Sequence, residues 1–175
     1  MTWPNRFAYY LIFVITVLTT VAYGAVHQPV LAFFYVLVAL MVISLGVDGW
    51  RSRSFAIDRS WLQVPLYAAA VYGAIQVIPF GTIAETAGVG GIPRTISVDP
   101  FATQLTALHF LALGLFFSAT LALMDSASRI RKLVVFICAF GFAFAFFAIL
   151  QSVLSPGKIY GIYETRFAVP FGSFV

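Results

Sequence analysis

Apolar residues run through this chain in four long blocks that no Asp, Glu, Lys or Arg interrupts: 7–47, 60–84, 100–124 and 133–157. Within the blocks apolarity is continuous, without the period-two alternation of a barrel strand. A helix needs about 20 such residues to cross the roughly 30 Å hydrocarbon layer of a bilayer. The last three blocks each hold one span. The first has room for two, and Gly24, His27, Gln28 and Pro29 break it near its middle, which predicts two helices joined by a very tight turn. The predicted spans are 7–26, 30–48, 61–80, 101–123 and 133–154. Each must be helical, because lipid offers no partner to an unpaired backbone amide or carbonyl.

Composition turns this pattern into a class. Of the 175 residues 62% are hydrophobic and only 9% charged, against about 25% charged in an ordinary soluble domain. So few charges cannot clothe a globule of this size, and intrinsic disorder requires the opposite composition. Ten basic and six acidic residues give a net charge of +4, but the cations form no stripe, which argues against a nucleic-acid partner. The single cysteine, Cys138, excludes an internal disulfide framework and a thiolate metal site. The fold class expected is all-α, a polytopic integral membrane protein of about five transmembrane helices in a single transmembrane domain, with the lipid bilayer as its first partner.

The cations orient the bundle. With the N-terminus inside, Arg6, Arg51, Arg53, Arg59, Arg129, Arg131 and Lys132 are cytoplasmic, while Arg94, Lys158 and Arg166 are outside. Seven against three satisfies the positive-inside rule and predicts an N-in/C-out topology. The acids split evenly between the two sides, and Trp3, Trp50 and Trp61 sit where interfacial anchors belong. Arg6 and the apolar run after it fit a signal peptide only loosely. The run exceeds the usual core of roughly 7–15 residues, and Gly24-Ala25-Val26 is a poor cleavage match, so the segment is read as a retained span. Two outer segments remain. The loop 81–99 is rich in glycine, holds Pro93 and should be irregular; Asp99 and Pro100 suit the cap and first turn of the next helix. The segment 155–175 ends in an apolar, glycine-containing run.

Candidate chemistry is sparse. His109 lies inside the fourth span with Thr103, Gln104 and Thr106 nearby; an ionisable residue at that depth is a functional candidate, but an interhelical hydrogen bond from neutral imidazole is the favoured reading. His27 sits in the outer turn, and neither histidine has a ligand partner at helical spacing. No metal and no cofactor is expected, and no nucleophile–base–acid arrangement can be assembled. Small residues (Gly141, Ala145, Ala148 and Ser152 in the fifth span; Ala69 and Gly73, with Gln76, in the third) read as helix-packing positions, and Phe136, Phe140, Phe144 and Phe147 as bulk around them. The outer charges are more suggestive. Glu85, Arg94 and Asp99 lie in the long loop, and Lys158, Glu164 and Arg166 follow the fifth span, interleaved with Tyr160 and Tyr163. Outer cations suit a lipid-linked phosphate or pyrophosphate and tyrosine suits a sugar ring, although wetted loops contain the same residues.

The segment Ile96-Ser97-Val98-Asp99-Pro100-Phe101-Ala102-Thr103, leading into a membrane helix, resembles the O-antigen ligase and polymerase family of bacterial envelopes. So does the stretch from Gln151 through Gly157-Lys158-Ile159-Tyr160-Gly161. The ending Phe171-Gly172-Ser173-Phe174-Val175 is similar to the lead-in to that family's Asn-Arg-Asn-His-Phe-Ala type segment. The similarity covers most of the chain and is best from about residue 92 onward. It implies a multi-pass protein of the bacterial inner membrane that handles undecaprenyl-pyrophosphate-linked glycan on the periplasmic side without a metal. Lys158, Arg166, Tyr160, Tyr163 and Arg94 are then candidate contacts for the donor phosphate or glycan. The family's catalytic arginine and histidine have no counterpart here. The resemblance therefore implies an N-terminal part, an incomplete bundle without catalytic residues and inactive alone. The alternative is a complete small membrane protein, acting as a transporter component or structural partner. Oligomeric state is not legible.

Overall fold

The first helix begins where polar chemistry permits, ahead of the apolar block. In the computed structural model, which describes residues 2–22, 28–53, 60–81, 94–154, 158–159 and 163–164, Thr2 caps helix α1 by accepting a bond from the Asn5 amide at 3.4 Å. Pro4 occupies the first turn, where its missing amide proton costs nothing. Helix α1 runs Trp3–Val21 and α2 runs Gln28–Ser52. A 3-10 turn at Trp61–Gln63 leads into α3, Val64–Gln76. Helices α4, Pro100–Leu123, and α5, Ala127–Leu154, follow. Two short strands, β1 (Lys158–Ile159) and β2 (Tyr163–Glu164), pair antiparallel after α5. This strand pair is an addition to the expected all-α class. Of the predicted break from Gly24 to Pro29, residues 24–27 lie outside the described residues, whereas Gln28 and Pro29 already belong to the first turn of α2, where proline's missing amide proton is tolerated.

Four of these helices, α1, α2, α4 and α5, are long and apolar enough to cross a membrane. The third predicted span, 61–80, is realised differently. Its α-helix has 13 residues, about 20 Å of rise and short of the roughly 30 Å hydrocarbon layer. Proline sets both limits. Pro65 stands in the first turn, and Pro79 cannot donate a helical bond and disfavours helix at Ile78 before it. The flanking turns tighten: the amides of Val77 and Ile78 bond to Ala74 and Ile75 carbonyls, three residues back. Helix α5 departs the other way, starting six residues before its predicted boundary of 133 and so holding Arg129, Arg131 and Lys132 within its first turns. Ser126 makes that start, its side chain accepting from the Arg129 amide at 3.4 Å.

The chain divides into two compact units, Met1–Ser44 with Leu123–Val175, and Leu45–Ala122. In the first, α1 and α5 run parallel: Asn5 reaches Arg129 at the beginning of both helices, and further along the Phe13 ring meets Phe136 edge-on at 4.7 Å. Helix α1 buries Ala8, Ile12 and Ile15, and α2 buries Phe34, Val38 and Met41, each at i, i+4, i+7 spacing. Phe33, Val36, Leu40, Ile43 and Val47 on α2 are exposed, as a lipid-facing surface requires. Hydroxyls within the spans are satisfied inside their own helix: Thr16, Thr19 and Thr20 donate to carbonyls four residues back at 2.7–2.8 Å.

In the second unit α3 runs antiparallel along α4. Tyr67 lies against Gly114 and Gly73 against Ala107, while at the far end the Ser97 amide donates to the Gln76 carbonyl at 3.1 Å. A Cβ added at Gly73 would stand 3.0 Å from the Ala107 Cβ, so this glycine is needed for the close approach of the two backbones. The packing reading of the third span holds for Gly73. On α5 it divides: Ala148 is buried, but Gly141 and Ala145 are exposed, with nothing within 4 Å of a Cβ placed at Gly141.

Candidate functional site

The best-defined polar construction at a helix start is the joint between α3 and α4. The Phe80 amide donates to the Arg94 carbonyl and the Arg94 amide to the Gly81 carbonyl, both at 2.8 Å, so residues 80–81 and 94 close the base of the loop between them. Gly81 has φ +139°, a conformation that only glycine adopts without strain. From there Thr95 donates to the Ser97 carbonyl at 2.7 Å, and the hydroxyls of Ser97 and Thr103 lie 2.7 Å apart. Asp99 Oδ1 accepts from the Ala102 amide at 3.0 Å and the Asp99 carbonyl from the Thr103 amide at 3.1 Å. These are the bonds of a helix N-cap, with Pro100 at the first helical position. The Arg94 side chain is exposed beside this joint. Gly81 and residues 94–99 are non-helical; residues 82–93 of the loop, Glu85 included, lie outside the described residues.

The other outer candidates are brought together only in part. The strand register sets Lys158 opposite Glu164 and Ile159 opposite Tyr163. Tyr160, Arg166 and His27 lie outside the described residues. His109 is half-buried on α4, and Cys138 is exposed on α5. Among the described residues no group of three His, Cys, Asp or Glu side chains is arranged to hold a metal ion.

Two polar clusters have no signature in the sequence. Between α3 and α4, Ser118 Oγ stands 2.5 Å from Gln63 Oε1, 2.7 Å from the Gly114 carbonyl and 2.8 Å from the Tyr67 hydroxyl. One serine proton serves either carbonyl oxygen, so the Tyr67 hydroxyl is the natural donor to Ser118. Beside it opens a mainly apolar groove of about 730 Å³ lined by Ser60, Trp61, Gln63, Val64, Tyr67, Ala68 and Val71. Gln63 and Ser118 were legible as polar residues in apolar blocks, but nothing in one sequence pairs them.

The second cluster joins α1 to α5. Arg129, largely buried, donates to the Leu123 carbonyl at 2.8 Å, pairs with Asp125 at 2.8 Å and reaches Asn5 Oδ1 at 3.4 Å. Its guanidinium carbon also lies 5.8 Å from the Tyr9 ring centroid, a cation–π distance. Tyr9 is itself buried, and among the described residues its hydroxyl has no hydrogen-bond partner.

Comparison with protein-family models, with curated proteins and with solved structures returns no match. The class rests on the chain's own physics: apart from one short strand pair it is an all-α, multi-pass membrane protein, its long apolar helices suited to a lipid bilayer.

Proposed function

We propose that this chain is the amino-terminal membrane part of an O-antigen ligase or polymerase-like protein, contributing to the binding of undecaprenyl-pyrophosphate-linked glycan at the outer face of a bacterial inner membrane. The observation that carries the reading is the joint at Ile96–Thr103. The residues most similar to the family are the ones that cap α4 and tie it to α3, with the exposed Arg94 alongside. A rigid cationic joint where a helix meets the headgroup layer suits a lipid-linked pyrophosphate, because guanidinium holds phosphate oxygens in pairs. After α5 the strand register sets Lys158 opposite Glu164, a second candidate cation for a phosphate. The chain then contributes donor binding, while transfer chemistry falls to residues beyond those it contains.

The topology in this proposal has five crossings, N-in/C-out. Although α3 is short, it and its flanking turns follow α4 from Ser118 back to Ser97, just ahead of the α4 cap, which supports reading it as a short crossing. A short span is accommodated by local thinning or by its flanking turns. The parallel contact of α1 with α5 supports the same count, because it assigns Arg6 and Arg129 to one membrane face.

Photolabelling tests the donor role. The chain in lipid nanodiscs is exposed to a photoreactive undecaprenyl-pyrophosphate analogue, and the labelled peptides are mapped. Label should concentrate in 94–103 and 158–166, fall on addition of unlabelled undecaprenyl pyrophosphate, and weaken in Arg94→Gln. Label spread evenly along the helices, or indifferent to the competitor, would sink the proposal.

A further inference from the structure

The parallel packing of α1 against α5 gathers cations at one end of one seam. Asn5, Tyr9 and Phe13 mark the contact face of α1, and Arg129 and Phe136 that of α5. At about 100° of helical rotation per residue, Arg6 lies some 60° to one side of Tyr9. By the same rotation Lys132 lies about 60° off Arg129 in the opposite sense. Because the helices are parallel and face each other, opposite senses bring both side chains to the same side of the seam. Arg6 and Lys132 are exposed, while Arg129 is turned into the seam toward Asn5. Arg131, also exposed, points away from the seam by the same rotation. The one carboxylate in the cluster, Asp125, is spent on Arg129. Trp3, three residues before Arg6 on the same flank of α1, is 78% exposed and stacks on Phe7 at 5.8 Å, as an aromatic at headgroup level does.

We infer that this end of the α1/α5 seam is a specific binding site for an anionic phospholipid, its headgroup phosphate held between Arg6 and Lys132 with Trp3 beside it. Charge complementarity selects the occupant. Two exposed cations accompany an already neutralised Arg129–Asp125 pair, at the level where a membrane helix meets the headgroups. Long basic side chains reach that level by laying their methylenes along apolar surface. The Arg129 bond to Asn5 and its place over the Tyr9 ring hold the two helix starts together, while Asp125 and the Leu123 carbonyl anchor Arg129 itself, so the backbones that carry Arg6 and Lys132 are held side by side. The site does not depend on the glycan-related role.

The test uses the full chain with Trp50→Phe and Trp61→Phe, leaving Trp3 as the one fluorophore of the three tryptophans. In phosphatidylcholine vesicles, brominated phosphatidylglycerol should quench Trp3 more strongly than an equal fraction of brominated phosphatidylcholine. Arg6→Gln with Lys132→Gln should lower the preference at least about fivefold, the worth of one surface cation, while Arg51→Gln with Arg53→Gln leaves it intact. Native mass spectrometry of the chain with all tryptophans retained, counting phosphatidylglycerol kept in each variant, gives the same comparison without the tryptophan changes. Equal quenching by the two lipids overturns the inference. So does an equal loss in the Arg51/Arg53 variant, which would mean general surface attraction, or displacement by inorganic phosphate at constant ionic strength, which would mean a free-anion site.

Discussion

Tyr67 and Ser118, 51 residues apart in sequence, meet hydroxyl to hydroxyl at 2.8 Å. Ser118 at the same time faces the Gln63 carbonyl oxygen, so one serine joins the beginning of α3 to the end of α4. Hydrogen bonds between membrane helices are modest, averaging about 0.6 kcal/mol, because the unfolded chain in lipid also finds partners. A double-mutant cycle of Tyr67→Phe and Ser118→Ala, read by denaturant titration in micelles, should give a coupling near that value. Ser118→Ala alone should cost more than Tyr67→Phe, since it deprives Gln63 as well. A coupling indistinguishable from zero would mean the pair does not hold the helices together.

Gly114 is the position on which the Tyr67 ring rests, with a Cβ there coming within 3.1 Å of the ring edge. Gly114→Val should destabilise by about 1–3 kcal/mol through overpacking. Gly141→Ala, with open space around it, should cost nothing and raise stability by up to about 1 kcal/mol, alanine being the better helix former. Unfolding midpoints of the two variants in the same detergent check the contrast; similar costs at both positions would refute the α3/α4 register.

The buried Tyr9 hydroxyl has no partner among the described residues, whereas its ring packs edge-on to Phe13 at 5.1 Å. A buried hydroxyl left unsatisfied costs roughly 1–3 kcal/mol. Tyr9→Phe keeps the ring and removes the oxygen, so the variant should be more stable by about 1 kcal/mol. A loss of stability would reveal a partner for that oxygen.

At the start of α4, Asp99→Ala removes the acceptor of the Ala102 amide. It should cost about 1 kcal/mol, and Asp99→Asn should recover most of it because asparagine caps comparably. Hydrogen exchange at Ala102 and Thr103 reports the change locally. Unaltered protection in Asp99→Ala would show that the cap contributes nothing.

For the topology, Cys138 is first replaced by alanine, and a single cysteine is introduced at Ser126, in the short connection between α4 and α5. In whole cells a membrane-impermeant maleimide should leave it unlabelled until the membrane is opened. Labelling of intact cells would reverse the proposed orientation.

Membrane character and the positions of the long spans were written in the sequence because transfer into hydrocarbon is close to additive over residues, and a run of apolar residues declares itself without knowledge of its neighbours. The Asp99-Pro100 start of α4 was equally legible, since a cap is local chemistry. Helix contacts were not legible. In water an amphipathic stripe shows which face is buried, but in lipid both faces are apolar, so Phe34 and its exposed neighbour Phe33 look alike in sequence. The shortening of α3 between Pro65 and Pro79, and the seams Gly73–Ala107, Tyr67–Ser118 and Asn5–Arg129, depend on which helices lie side by side. Only the tertiary structure decides that, because close packing and interhelical hydrogen bonds join residues that no local pattern connects.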